Sequence, residues 1–312
     1  LLVLPFRSPL EFCLFRQAFV LTARFAAYYC CMREVAYYNG EISEAGEMKV
    51  PFLERTAFFG DAVYDATYAV GYGAFALAEH VARLYFSARR AGIEPPVEQS
   101  EFIGLVRSLI KKCDEGDLFV YMQFSGGAGR REHARRSEPS VWVYIFPKSI
   151  EKREKRYKLI SVPDIRYGLC GIKTINLLPN VLAANAAAQT GADESVFVRG
   201  GFVTECAHSN VCMLKGGELI APPARGQMLE GISLRHLMLA CKESEIPVSR
   251  RNFTLEELKC ADEAIVTSSG VPCTPCERLD GVKIGGRDGK TLEKLQDILY
   301  MQYEFYCAMD GR

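Results

Sequence analysis

The chain has 312 residues, of which 49% are hydrophobic and 24% are charged, and its formal net charge is zero. This composition is typical of a globular protein long enough for two domains of moderate size. The zero net charge and the lack of a long basic run argue against nucleic acid as a partner. The 12 cysteines are irregularly spaced in a long chain, which favours reduced thiols in a cytoplasmic protein over a disulfide framework.

Residues 1–31 are strongly apolar, but Arg7, Arg16 and Arg24 interrupt them. No uninterrupted part reaches the roughly 18 apolar residues that a membrane-spanning helix needs. Arginines among apolar residues also fit a presequence. We expect this stretch to be an N-terminal extension, non-native or disordered, and we expect a normal domain to begin near Met32.

The first half of the chain is predicted to mix strands and helices. Apolar periodicity predicts a hairpin at 33–43 and two amphipathic helices at 77–88 and 102–113. It also predicts two strands, at 118–124 and 140–146. Asn39–Gly40 is a typical hairpin turn, and Ser100 is the expected N-cap of the second helix. A glycine-rich basic loop, residues 125–138, connects the two strands.

The second half begins after a charged connector at 147–157. Its patterns predict a strand at 157–164, a helix at 178–193 and two hairpins at 195–205 and 211–221. A helix at 230–245, a strand at 263–270 and a final helix with Thr291 as its expected N-cap follow. The cysteines of "CTPC", 273–276, are interpreted as structural thiols. We expect an α/β (mixed α+β) fold of two domains, a small N-terminal domain at 32–150 and a larger C-terminal domain at 151–312, with a ligand cleft between them.

Five features of the chain each have an ordinary structural explanation when taken singly. Lys173 lies among apolar residues, where it is either a snorkelling surface lysine or a desolvated amine kept for chemistry. Glu205 ends a predicted strand, and Arg83 lies off the apolar stripe of its helix. The helix start "EGISLR" and the turn "TSSG" can each bind an anion through backbone N–H groups and hydroxyls. A lysine, an acid and a phosphate cup together are what pyridoxal 5′-phosphate requires.

Six segments make the chain similar to the fold-type IV pyridoxal-phosphate enzymes, which include D-amino-acid and branched-chain aminotransferases and aminodeoxychorismate lyase. The similarity covers roughly residues 33–310. It is carried by "FFGDAVYDATY", "EHVARLYFSARRAGI", "DIRYGLCGIKTINLLPNVLAANAA", "VTECAHSNV", "MLEGISLRHL" and "IVTSSGVPCTP". The resemblance implies the family's two-domain fold, with the cofactor in the interdomain cleft.

The resemblance also implies a role for each matching residue. Lys173 holds the cofactor as a Schiff base, Glu205 pairs with the pyridine nitrogen, and Arg83 binds the phosphate. Further cofactor contacts are implied for the helix start, the late hydroxyl turn and a residue that packs on the ring, namely Ile232, Ser233, Ser268, Ser269 and Leu229. No metal ion is expected.

The basic loop suggests which member of the family the chain resembles. Arg131 and His133 are spaced i, i+2, so in an extended segment both project from the same face and can clamp a carboxylate. The alternative is a solvated basic loop. D-amino-acid aminotransferases carry an Arg-x-His pair here that works with a tyrosine, which matches Tyr64, and their loop reaches across a dimer interface. The resemblance therefore implies a homodimer.

The expected reaction is D-alanine plus 2-oxoglutarate giving pyruvate plus D-glutamate, so the partners are D-amino acids and 2-oxo acids. Lys173 is expected to remove the substrate α-proton as general base and to return it at C4′ of the cofactor as general acid. Alternatives within the family are an (R)-selective amine transaminase, a branched-chain aminotransferase and aminodeoxychorismate lyase. A catalytically silent protein on the same scaffold is the alternative from another class.

Overall fold

Two β-sheets, one from each half of the chain, form the framework of the computed structural model, which describes residues 32–224 and 226–311. The expectations for residues 1–31 lie outside this range. Within it, no helix combines the length and the apolar content needed to cross a membrane.

The first sheet is antiparallel throughout. Its strands are β1 (Val35–Tyr38), β2 (Glu41–Glu44), β3 (Ala62–Val70), β4 (Gly73–Ala74), β5 (Leu118–Ser125) and β6 (Ser140–Pro147). The spatial order is β2-β1-β6-β5-β3-β4. The helices of this half are α1 (Arg55–Phe59), α2 (Leu77–Arg90) and α3 (Gln99–Ile110).

Sequence patterns locate the hairpin, the two longer helices and the strands β5 and β6, with an error at the start of α3, but they miss α1, β3 and β4. The hairpin turn is confirmed, because Asn39 and Gly40 have φ of 45° and 100°, the left-handed region that such turns need. Ser100 is not the N-cap of α3. The helix begins one residue earlier, and Glu98 is the extended residue before it. Inward residues of β5, such as Phe124, are fully buried and pack against Phe102 of α3.

The second sheet is mixed, with parallel pairing of β7 to β8 and to β14. Its strands are β7 (Tyr157–Pro163), β8 (Glu194–Arg199), β9 (Phe202–Cys206), β10 (Asn210–Lys215), β11 (Glu218–Ala221), β12 (Val248–Arg250), β13 (Glu263–Ser268), β14 (Val271–Leu279) and β15 (Val282–Lys283). The order is β12-β11-β10-β13-β14-β7-β8-β9, and β15 pairs with β14. The helices are α4 (Leu178–Thr190), α5 (Ile232–Glu243), α6 (Leu255–Lys259) and α7 (Gly289–Asp310).

The last helix joins the two sheets. Tyr303 of α7 stacks on Phe75, which follows β4, with ring centroids 4.2 Å apart. A side chain on Gly73 would place its Cβ 1.7 Å from the carbonyl oxygen of Cys307, so glycine is required at this close approach. Thr291 is not the cap of α7: Asp288 is the N-cap, and its carboxylate accepts the N–H of Thr291.

Cys273 and Cys276 are structural thiols, as predicted. Both are buried on β14, and their odd spacing directs them to opposite faces of the sheet. Cys273 belongs to the core cluster beneath α5 and α7, whereas Cys276 belongs to the cluster around Phe253. They therefore do not form a redox pair.

The two sheets and their flanking helices confirm the mixed α/β fold. The strands of one sheet come from residues 35–147 and those of the other from 157–283. The division into domains at residues 150 and 151 stays a prediction, and α7 contacts both halves.

Candidate active site

A cavity of about 580 Å³ lies where β3 and α2 of the first half meet the strand ends and loops of the second. All eight residues predicted to bind the cofactor line it, namely Arg83, Lys173, Glu205, Leu229, Ile232, Ser233, Ser268 and Ser269. Tyr64 of β3 lines it as well. The structure thus brings together residues that are far apart in the sequence.

Lys173 is fixed through its backbone at the edge of β3. Its carbonyl oxygen accepts the N–H of Tyr64 at 2.9 Å, and its own N–H donates to the hydroxyl of Ser87 at 3.2 Å. The side chain is half-buried, and its Nζ lies 4.4 Å from the centroid of the Tyr64 ring. The ammonium therefore lies in the cavity, over an aromatic face, where a substrate can reach it.

Glu205, at the end of β9, is a buried carboxylate with three donors. Arg166 pairs with it, Asn210 donates from Nδ2 at 3.2 Å, and Leu229 donates from its backbone N–H at 3.2 Å. Burial raises the pKa of Glu205 to about 7, although Arg166 and the Leu229 N–H oppose the shift. This carboxyl group can therefore hold or release a proton near neutral pH.

Arg166 is shared between two carboxylates. It donates from Nε to Oδ1 of Asp164 at 2.9 Å and from Nη2 to Oδ2 at 2.8 Å, while Nη1 contacts Glu205. Asp164 is fully buried, and although burial opposes its charge, Arg166 holds the pKa of Asp164 below its usual value. Because Asp164 takes two of the guanidinium's donors, Arg166 is held rigidly beside Glu205.

Arg83 of α2 also lines the cavity. Its Nε and Nη2 donate to the buried carboxylate of Asp65 at 2.7 and 2.8 Å, and Nη1 donates to the carbonyl of Glu230 at 3.1 Å. These bonds fix the plane of the guanidinium and leave further N–H donors for a ligand.

The start of α5 lies close to this arginine, since Glu230 precedes it. The N–H groups of Ile232 and Ser233 open the helix and find no partner among the described residues, as expected in a first turn. Such N–H groups and the helix dipole favour an anion. The Ser233 hydroxyl donates to the carbonyl of Ser268 at 2.8 Å, and that of Ser269 to Ala66 at 2.9 Å. The first bond ties the start of α5 to the late turn, and the second ties that turn to β3.

Arg131 and His133 do not line the cavity of their own chain. Both are exposed, and both lie against the ring of Phe59, with the Arg131 guanidinium carbon and the His133 ring each 5.3 Å from its centroid. Buried Arg55 holds the loop by donating to the carbonyls of Glu132, at 2.6 Å, and His133, at 3.1 Å. The pair is thus presented together on an exposed, anchored loop.

Several polar residues of the site were missed from the sequence. Arg166 lies within a quoted motif, but its partner Glu205 is 39 positions away, so no local spacing indicates the ion pair. Asp65, the partner of Arg83, also lies within a motif that suggested no role for it. Lys148 and His208 line the cavity as well and carried no sequence signal.

The donor set fits pyridoxal phosphate. The cavity has the volume of an ordinary small-molecule site. It combines an amine at Lys173, a buried carboxylate at Glu205 and a cradle of unpartnered N–H groups beside Arg83. The fold and the site together define a pyridoxal-phosphate enzyme.

The chain belongs to the class IV aminotransferases: the family model described as "Amino-transferase class IV" matches residues 62–279. The chain is therefore an aminotransferase, and pyridoxal phosphate is the cofactor of this class. D-alanine aminotransferase of Staphylococcus haemolyticus is 33% identical over 267 residues, covering 84% of this chain and 95% of that protein. D-alanine aminotransferase of Bacillus licheniformis is 32% identical over 269 residues, covering 84% of this chain and 94% of that protein.

Solved structures of this class share the fold. Branched-chain aminotransferase from Thermoproteus uzoniensis with norvaline superposes with a TM-score of 0.80 at 22% identity, covering 88% of this chain and 95% of that one. Branched-chain aminotransferase from Escherichia coli superposes with a TM-score of 0.79 at 21% identity, covering 86% of this chain and 94% of that one. At this identity the likeness concerns the fold alone, and it confirms the fold-type IV architecture.

Proposed function

We propose that this chain is a D-amino-acid transaminase that converts D-alanine and 2-oxoglutarate to pyruvate and D-glutamate. The observation that carries the proposal is the pair Arg131 and His133, held together on Phe59 at an anchored loop outside their own cavity. The identity to D-alanine aminotransferases over nearly their whole length supports it.

Each residue of the site has a task in this proposal. Arg83, the N–H groups of Ile232 and Ser233, and the Ser268–Ser269 turn hold the cofactor phosphate. Leu229 packs on one face of the ring, and Glu205 holds a proton at the ring nitrogen. When bound, pyridoxal phosphate supplies a ring that accepts the electrons left on the substrate α-carbon.

Lys173 moves the proton at the substrate α-carbon. Its amine takes that proton as general base and, as general acid, would then deliver it to C4′ of the cofactor. Tyr64, Arg131 and His133 hold the α-carboxylate, so that the α-hydrogen of the D-isomer faces Lys173. In the mirror isomer held by the same carboxylate trap, the hydrogen points elsewhere, which gives the enzyme its handedness.

The carboxylate trap requires a homodimer, because the loop of one subunit must complete the cavity of its partner. An exposed apolar surface supports this. Leu178, Val181 and Leu182 of α4 are each more than half exposed, and so are Ile165 and Leu169 on the segment that leads to Lys173. Apolar patches of this kind next to a cavity are typical of subunit interfaces. A cytoplasmic location is proposed because thiols among the described residues, such as those of Cys206, Cys212 and Cys241, are free.

Substrate handedness tests the proposal directly. We expect the visible absorbance of the purified holoenzyme to be bleached by D-alanine and to remain unchanged with L-alanine. Transfer of the amine to 2-oxoglutarate, followed as pyruvate formation, should show the same selectivity. Bleaching by L-leucine alone would instead identify a branched-chain aminotransferase, and elimination without amine transfer would identify a lyase.

Loss of the carboxylate trap should weaken substrate binding. We expect Arg131→Ala and His133→Ala each to raise KM for D-alanine by about tenfold or more, since a hydrogen bond to a charged group contributes about 1.5–3 kcal/mol. Arg130→Ala, on the same exposed loop, is the matched control. An unchanged KM in both trap variants would remove the reason for preferring a D-amino-acid enzyme.

The dimer can be tested with the same variants. Lys173→Ala and Arg131→Ala subunits, each weakly active alone, should regain activity when unfolded and refolded together. In a hybrid dimer, the Arg131→Ala subunit supplies a cavity with an intact Lys173. The Lys173→Ala subunit completes that cavity with its intact Arg131. If the mixture stays as inactive as its components, the trap does not act between subunits.

A further inference from the structure

Two cationic side chains line the cavity without a task in the proposed reaction, Lys148 and His208. Lys148 follows β6, and its Nζ lies 5.9 Å from the ring centroid of Tyr68 and 5.6 Å from that of Phe119. Across the described residues, no carboxylate forms an ion pair with it. Lys148 thus presents an unneutralised ammonium on an aromatic platform inside the cavity.

His208 lies in the turn between β9 and β10. Its Nδ1 pairs with the carboxylate of Glu194, which is fully buried. That carboxylate also accepts the hydroxyl of Ser209 at 2.9 Å and the N–H of Ser195 at 3.0 Å, so its position is fixed. With Nδ1 engaged, Nε2 is the ring's remaining donor, and the side chain is 70% exposed where it lines the cavity.

The environment of His208 favours its charged form. Surrounding protein opposes the charge, but the hydrogen bond and ion pair with Glu194 prevail and raise the pKa of His208 above its usual value. The charges of Lys148 and Lys173, which line the same cavity, repel that of His208 and act against this rise. An anion between them would relieve that repulsion.

The other charges of the cavity are already committed. Arg83 is paired with Asp65, and Arg166 with Asp164 and Glu205. Lys173 is the reactive amine. The only carboxylate among the described residues that line the cavity is Glu205. The charge of Lys148 is therefore a surplus beyond what the phosphate and the α-carboxylate use in the proposed function, and His208, whose charge Glu194 balances, adds an Nε2 donor to the same cavity.

We propose that Lys148 and His208 form a second carboxylate site, which binds the distal carboxylate of a dicarboxylate substrate. This inference rests on the proposed function and deepens it, because it assigns the residues that recognise D-glutamate and 2-oxoglutarate. Nε2 of His208 and the ammonium of Lys148 donate charge-assisted hydrogen bonds to the two carboxylate oxygens. D-Alanine, whose side chain is a methyl group, does not reach this site.

The test compares two ligands of equal length. Glutarate and pentanoate each have five carbons and bind without reacting, but only glutarate has a second carboxylate. We expect titration calorimetry of the wild-type holoenzyme to show glutarate binding at least about tenfold more tightly, equivalent to about 1.4 kcal/mol. Lys148→Met and His208→Asn should each lower this ratio, and the double variant should bring it close to one.

The variants are chosen to preserve the fold. Asparagine at 208 keeps an N–H donor for Glu194 and removes Nε2 with its charge. Lys148 is exposed, and methionine retains its apolar stem. Lys152→Met, on the same connector and also exposed, is the matched control and should leave the ratio unchanged.

The outcomes separate this inference from the proposed function. A wild-type ratio near one, or a ratio that survives in the double variant, would overturn the second carboxylate site. The variants could lose the preference for glutarate while the wild-type enzyme does not transaminate D-amino acids. That result would support the second carboxylate site and reject the D-amino-acid assignment. With an active enzyme, kcat/KM for D-glutamate relative to D-alanine should fall in the variants by about tenfold or more.

Discussion

Replacing Lys173 by alanine is expected to lower kcat for D-alanine transamination at least about a thousandfold. General acid–base catalysis by one group contributes about 10²–10⁴-fold, and the same amine also anchors the cofactor. The structure holds this amine in place, because the carbonyl of Lys173 accepts the Tyr64 N–H at 2.9 Å and its Nζ lies over the Tyr64 ring. The visible absorbance of cofactor joined to this lysine should disappear.

Chemical trapping makes the same prediction without measuring activity. Borohydride reduction of the wild-type holoenzyme, followed by peptide mass mapping, should place a pyridoxyl group on Lys173. Lys152→Ala, an exposed lysine outside the cavity, is the matched control and should retain activity. A pyridoxyl adduct on a different lysine, or a Lys173→Ala enzyme within tenfold of the wild type, would contradict the assignment.

The resemblance to the family identifies the cavity residues, and several of them lie at or near the ends of regular elements. Glu205 is the second-last residue of β9, and Ser268 is the last residue of β13. Ser233 lies in the first turn of α5. Such ends are visible as changes of periodicity, glycines and small polar residues. These ends converge on one cavity, so residues that are far apart in the sequence meet in space.

The sequence does not indicate the partners that hold these residues. Arg166 and Glu205 are 39 positions apart, and Arg83 and Asp65 are 18 apart, so each ion pair depends on tertiary packing. Helix caps were wrong for a related reason. Glu98 and Asp288 precede helices that start earlier than their apolar stripes, so Ser100 lies inside its helix.

The charge of Glu205 connects stability with pH. In the cofactor-free protein, burial raises the pKa of Glu205 from 4.5 to about 7. Between these values the folded protein binds more protons than the unfolded chain, so the free energy of unfolding falls as pH rises. The contribution of this group is fully present below about pH 4.5 and is lost as pH rises through about 7. A protonated ring nitrogen beside the carboxylate offsets this loss when the cofactor binds.

Glu205→Gln should therefore have two measurable effects. First, kcat should fall at least about a hundredfold, because a neutral amide does not hold a proton at the ring nitrogen. Second, in the cofactor-free protein, the wild-type melting temperature should decrease between pH 5 and pH 8 relative to that of the variant. The shape of Glu205's surroundings is kept, because glutamine is isosteric with glutamate.

Comparison with a second substitution separates the two effects from a general loss of charge. Glu94→Gln removes an exposed carboxylate and should change neither kcat nor the pH dependence of melting. If the melting temperatures of the wild type and Glu205→Gln change with pH in the same way, Glu205 titrates as an ordinary carboxyl group. Arg166 would then compensate fully for the effect of burial on its pKa. An unchanged kcat in Glu205→Gln would mean that the carboxylate does not face the ring nitrogen, and the orientation proposed for the cofactor would then be wrong.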